Sequence, residues 1–301
     1  MLAFRRICLE DKPNFDRLFD LLQPEVSDLT FTNLVMWQFT YGLLVSYLKD
    51  LDYWLLMGKP SNPKWKPFFL APVGDWNKRT ALEEVYRLMK EIAAAERFEF
   101  RLLRIPQFLA DTFLEIDPSI TVKLDKNASD YLYSAADLIN LAGRKYHGKR
   151  NHLNKFIRSY NWEYLKMTPE IAEECLNMES DWFDIRDPEP YSEDEAMAMV
   201  LKNFDFLGVT GAVIKIDGVI QAITVGEKLN RNTAVIHIEK ANTDFDGIYA
   251  AINREFAARE WADLEFINRE EDMGIEGLRK AKESYHPVRM VEKYTVTEKP
   301  M

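Results

Sequence analysis

The chain has 301 residues, 47% hydrophobic and 29% charged, with a formal net charge of −10. That length suits one large domain or two of ordinary size, and the apolar fraction is enough for a substantial core. The acidity excludes general adhesion to nucleic acid or anionic lipid, so any such partner needs a local basic patch.

In chain order, residues 43–49 and 53–57 read as a hairpin, and FFLA at 68–71 as a short strand. Residues 80–95 carry a helical apolar period, 98–105 a strand, 106–115 a short helix and 120–124 a strand. Further on, 192–206 reads as a helix opened by Ser192, with Glu195 three places later as a capping box. Residues 211–216 and 219–227 flank an Asp217-Gly218 turn, the signature of a β-hairpin. Then come a half-buried strand (TAVIHIEK, 233–240), a helix (247–261), a strand (264–268), a helix (275–285) and a closing strand (288–296). Helices alternate with strands in both halves, which argues for an α/β fold.

This order resembles that of the GNAT (acyl-CoA N-acyltransferase-like) fold, and its later part recurs in the first half. The expectation is two tandem GNAT-like domains, residues 1–128 and 129–301, each a mixed sheet flanked by helices. Peptidoglycan-bridge and aminoacyl-lipid transferases share that arrangement, so the resemblance implies acyl transfer at the level of fold.

Three stretches carry a narrower resemblance: DYLYSAADLINLAGRKYHGKRNHLNKF at 130–156, HIEKAN at 237–242 and FINREEDMGIEGLRKAKESYHP at 266–287. Together, across roughly residues 130–300, they resemble the family related to the C-terminal domain of phosphatidylglycerol lysyltransferase. The resemblance implies an aminoacyltransferase, with aminoacyl-tRNA as candidate donor and an amine, a hydroxyl or a lipid head group as acceptor. These residues hold no multi-helix membrane domain of the kind full lysyltransferases carry, so the lipid is one acceptor among several. The alternatives are a coenzyme A-dependent N-acetyltransferase and a non-catalytic ligand-binding protein on the same fold.

The candidate site residues follow. Arg144, Lys145, Lys149, Arg150, Lys155 and Arg158 form a basic stretch without an intervening acid. Lys145, Lys149 and Arg150 in it are candidates for holding a phosphate-bearing substrate such as tRNA. The competing role is pairing with the acidic stretch 170–195. On TAVIHIEK, alternation puts His237 and Glu239 on one face and Lys240 on the other. Glu239 is either the general base that deprotonates an attacking amine or hydroxyl, or one half of a buried ion pair. Asn268, Arg269 and Asp272 end a strand, where open α/β sheets bind ligands, though Asp272 also suits capping of the helix near Ile275. Arg279 and Lys282 share a helix face as further substrate contacts. By analogy with GNAT tyrosines, Tyr285 is the candidate acid that protonates a leaving group; its competing role is a half-buried aromatic.

The negatives sharpen this. The loop 241–247, where a coenzyme A pyrophosphate would sit in a GNAT, has one glycine and two aspartates, which disfavours that cofactor. Histidines at 147, 152, 237 and 286 lack zinc-protease spacing, so no metal is expected. Cys8 and Cys175 fit a reducing compartment rather than a disulfide framework. No apolar signal core precedes Glu10, and the longest weakly charged run, 34–48, is shorter than the ~20 residues of a spanning helix. The sequence therefore reads as cytoplasmic, with peripheral membrane contact open.

Overall fold

The computed structural model describes residues 2–178 and 193–299; the Ser192 cap lies outside them. The first stretch of chain gives β1 (Arg5–Arg6), α1 (Lys12–Leu22), α2 (Phe31–Met36), α3 (Gln38–Tyr41), β2 (Leu43–Leu48), β3 (Tyr53–Gly58) and β4 (Phe68–Phe69). It continues with α4 (Arg79–Ala95), β5 (Arg101–Pro106), α5 (Gln107–Ile116) and β6 (Ile120–Leu124). Next come β7 (Asp130–Ser134), α6 (Ala135–Asn140), α7 (His147–Ser159), β8 (Trp162–Lys166), α8 (Pro169–Leu176), α9 (Glu193–Lys202) and α10 (Phe204–Leu207). The chain then forms β9 (Thr210–Ile216), β10 (Val219–Asn230), β11 (Thr233–Ala241), α11 (Ile248–Glu260), β12 (Phe266–Asn268), α12 (Glu276–Glu283), β13 (Arg289–Val291) and β14 (Lys293–Glu298).

Two compact units result. The first takes the chain as far as Asp130, residues 271–274 and the chain from Val291; the second takes 131–270 and 275–290. Each is built on a seven-stranded mixed sheet, ordered β1-β2-β3-β4-β5-β14-β6 in the first and β13-β7-β12-β11-β10-β9-β8 in the second. The sheets share a pattern: β4 runs parallel to β5, and β11 parallel to β12. Next in line each sheet takes an antiparallel strand, β14 beside β5 and β7 beside β12.

In the first unit Lys293 of β14 is fully buried, 2.6 Å from Asp130 and 2.5 Å from Asp28, with Glu271 at 3.5 Å. Arg104 pairs with Asp28 at 2.9 Å and Glu271 at 2.6 Å. Asp130 also accepts from the Ser27 amide (2.8 Å) and hydroxyl (3.0 Å). Burial works against every charge here, but three carboxylates around the ammonium hold Lys293 protonated well above its usual range. Burial, joined by the neighbouring carboxylates, raises Asp130 in spite of Lys293.

In the second unit α11 covers the sheet. Its Ile248, Ala251, Ile252 and Phe256 pack with Leu153 and Phe156 of α7 and with Tyr133, Ala234 and Ile267 of the sheet. Each fully buried large apolar side chain contributes about 1.5–3 kcal/mol. Gly247, which caps α11 with φ of +87°, permits the close approach of α7: a Cβ there would collide with the His152 carbonyl.

Candidate active site

The site begins where β11 leaves β12. Among the described residues these strands pair only from Thr233 with Phe266 to Val235 with Asn268. Beyond that the chain after β12 stays with β7, the Arg269 amide donating to the Tyr131 carbonyl at 3.0 Å. A split therefore opens between β11 and the segment after β12. Opposite it, β11 carries an extra residue: Ile236 pairs with Gly226 and Ile238 with Val225, leaving His237 as a bulge. A bulge interrupts alternation, so His237 and Glu239 do not act as neighbours on one face; they serve different partners.

Glu239 borders the split. Its Oε1 receives Arg269 Nη2 at 2.6 Å and its Oε2 receives Asn253 Nδ2 of α11 at 3.0 Å. Both carboxylate oxygens are thus engaged. The Arg269 guanidinium lies 4.9 Å from the Tyr285 ring centre and 5.6 Å from that of Tyr133. Burial works against the Arg269 charge, yet Glu239 leaves it raised. Arg269 Nη1 and Asn253 Oδ1 are buried and have no hydrogen-bond partner among the described residues. Burial pushes Tyr285 up to about 12, against the pull of Arg269. Lys149 Nζ sits 3.9 Å from the centre of the Tyr285 ring. Burial, and then the Arg269 charge, lower its pKa to about 8.

The tyrosine is held by its neighbours: the Tyr146 hydroxyl donates to the Tyr285 carbonyl at 3.0 Å, and the Tyr133 hydroxyl to the Lys282 carbonyl at 2.8 Å. Lys282 Nζ donates to the Arg269 carbonyl. Asn268, fully buried, accepts the Glu270 amide at 2.8 Å and shapes the turn after β12. Lys149, Glu239, Tyr285, Lys282 and Asn268 are thus linked through Arg269 or the turn that carries it.

The other sequence candidates lie elsewhere. His237 is enclosed between Glu227 (2.9 Å) and Glu270 (2.8 Å); burial alone would lower it, but the two carboxylates raise it to about 10. Lys240 faces Glu193 at 3.3 Å and Asp194 at 3.6 Å. Lys145 pairs with Asp137 at 3.1 Å, Lys155 pairs with Asp246, and Arg150 donates to the Leu141 and Gly143 carbonyls. The basic stretch is therefore dispersed, and its partners are Asp137, Asp246 and backbone rather than the described part of 170–195. Arg279 is half-buried on α12. Asp272 belongs to the first unit and accepts the Gly274 amide at 2.7 Å; α12 starts without a side-chain cap.

Asn253 had no signal in the sequence, since a polar residue in AAINREFAA reads as a surface position. Arg269 was visible at a strand end, but its pairing with Glu239 bridges segments 30 residues apart.

Comparison with known proteins gives four similar proteins and one family. A conserved protein of unknown function from Bacteroides thetaiotaomicron VPI-5482 is 34% identical, with 99% of this chain and 100% of that one covered and a TM-score of 0.86. The structure of L-PGS from Bacillus licheniformis is 16% identical over 95% of this chain and 92% of that one (TM-score 0.66), and FemX 11% identical over 99% and 98% (0.60), likenesses of fold. An uncharacterized protein of Mycoplasmoides gallisepticum, MYCGA3080, is 26% identical over 179 residues, 58% of this chain and 57% of its own length, so the match spans little more than half of that curated relative. The family described as phosphatidylglycerol lysyltransferase, C-terminal, matches residues 19–297, and the chain belongs to it.

Proposed function

We propose that the chain is an aminoacyltransferase that moves an aminoacyl group from aminoacyl-tRNA, or a similar activated ester, to an amine or hydroxyl acceptor, a lipid head group included. Beyond family membership, one observation supports this reading. Where β11 parts from β12, a paired carboxylate, a guanidinium with a bare N–H, a phenol and an ammonium converge. Such a set can stabilise the oxyanion of an ester under attack and supply a proton to its leaving oxygen. Arg269, fixed by Glu239, takes the first role. Tyr285, kept protonated by burial, takes the second. The donor's phosphates are assigned to the outer face of α7, where Arg158 lies with Asn151, Asn154 and Ser159 along a groove whose other cation, Lys155, is paired with Asp246.

The 241–247 loop argues against coenzyme A. Asp244 and Asp246 place negative charge there, and their amides are already used by Asn242 Oδ1 (3.0 Å) and the Tyr160 hydroxyl (3.1 Å). No helix among the described residues is long and apolar enough to cross a membrane, so a lipid acceptor would be met at the bilayer surface. We place the reaction in the cytoplasm, where charged tRNA is made.

The test is transfer itself. Purified chain is given lysyl-tRNA with ethanolamine, glycerol or phosphatidylglycerol vesicles as acceptors, and ester loss and product are followed. We expect turnover, reduced at least about 100-fold by Arg269→Met. Micromolar binding of acetyl-CoA by calorimetry, or donor binding with no turnover, would replace this reading by one of its alternatives.

A further inference from the structure

Lys149 is placed differently from Lys145, Arg150 and Lys155. It is the third residue of α7, in the first turn, where the helix dipole opposes a positive charge. Lys145 and Lys155 have carboxylate partners, and Arg150 has backbone carbonyls. Lys149 has no ion pair or hydrogen bond among the described residues, and its contact is the face of Tyr285. The charged groups that act on it are Arg269 and Glu239, and Glu239 is committed to Arg269 and Asn253 through both oxygens. An exposed lysine would relieve this in water, but Lys149 is partly buried. The carboxylate expected to serve as base is thus occupied, while an amine that burial and Arg269 disfavour as a cation, against the attraction of the ring, lies on the tyrosine beside it.

We propose that Lys149 is the general base of the transfer: as the neutral amine, it takes the proton of the attacking amine or hydroxyl. This inference rests on the aminoacyltransferase reading above. As the acceptor's lone pair forms the new bond to the ester carbon, its N–H or O–H proton passes to Lys149 Nζ. The carbonyl π pair moves to oxygen, beside Arg269 Nη1. On collapse, the bond to the leaving sugar oxygen breaks and that oxygen takes the Tyr285 proton. The phenolate is held between Arg269 and the Lys149 ammonium. Lys149 then loses its proton to solvent and Tyr285 regains one, so the count closes without a co-reactant. A pKa lowered to about 8 leaves a usable neutral fraction at neutral pH, which an ordinary lysine lacks.

Two measurements on the full chain test this. The first requires no turnover. Trace labelling with acetic anhydride between pH 6 and 11, read by quantitative mass spectrometry, should show Lys149 titrating near pH 8 and Lys145, which Asp137 holds protonated, later than it. Arg269→Met should move Lys149 upward. A Lys149 that titrates with Lys145 overturns the proposal, whatever the reaction. The second is the pH dependence of kcat/KM with lysyl-tRNA. The wild type should show an acid limb with its midpoint near 8. Lys149→Arg keeps the charge but cannot release a proton in this range, so it should lose about 100-fold or more, together with the limb, as should Lys149→Met. An Arg variant that keeps rate and limb would mean that only the charge matters, and Lys149 is then no base. A wild type that transfers nothing, with Lys149 nonetheless titrating near 8, brings down the reading of the reaction, and the base role with it.

Discussion

His237 is fully enclosed with Glu227 and Glu270 on its two ring nitrogens, and this environment keeps its proton to about pH 10. The folded value is raised above the unfolded one of 6.5, so the stabilisation is complete below about pH 6.5 and is lost as the pH climbs through 10. Urea unfolding at pH 6 and 9.5 should show the wild type losing more stability than His237→Gln between those values. Equal losses would mean a neutral imidazole. The Glu239–Arg269 pair gives a second residue-scale expectation. Arg269→Met leaves a largely buried carboxylate with only Asn253, and breaking such a pair costs about 3–5 kcal/mol. Adding Glu239→Met should recover most of that loss in urea melts; a double variant as unstable as Arg269→Met would show that the pair is not the cause. The alternation of TAVIHIEK made Glu239 legible. It also placed His237 beside it, because a bulge leaves no trace in a periodic pattern.

Elements defined by their own sequence were read well. The hairpin expected at 43–49 and 53–57 is β2 and β3, the helix at 80–95 is α4, and the hairpin at 211–227 is β9 and β10. Elements defined by distant partners were not. DYLYS is too short to declare itself, yet it is β7, made a strand by pairing with β12. WEYLK is β8, an edge strand on β9. VRMVEKYTV reads as one strand, but the chain divides at Glu292: β13 joins the second sheet and β14 the first. The only local trace is a break in alternation, where Met290 and Val291 are followed by Glu292 and Lys293; it does not say that the two pieces belong to different sheets. Gly148 lies inside α7, while Gly247 is required by its backbone. Gly247→Ala should therefore cost at least about 1–3 kcal/mol through strain and the clash with the His152 carbonyl. Gly148→Ala, with nothing within 4 Å, should be neutral or stabilise by up to about 1 kcal/mol. Similar melting temperatures for the two variants would rule out the close approach as Gly247's reason.

On the scale of the molecule, the first unit depends on a strand far along the chain. Tyr294 of β14 pairs with Ile105 of β5 on one side and Leu124 of β6 on the other, and Lys293 supplies the ammonium among Asp28, Asp130 and Glu271. Lys293→Met removes the cation and leaves the carboxylates buried together beside Arg104. It should destabilise the first unit by about 3–5 kcal/mol, read by hydrogen exchange at β5 and β6, and leave the amides of β10 and β11 protected. Loss of protection in both units alike would refute a unit-specific role.

The position of β14 also sets an order in time. A ribosome adding ~5–20 residues per second finishes β6 roughly 10–30 seconds before it reaches Lys293. Throughout that interval β5 and β6 have no strand between them, and their unsatisfied edges are open to pairing with another chain. The nascent first unit is therefore a natural client for a chaperone, and a translation stall ahead of Lys293 would release a polypeptide primed to aggregate.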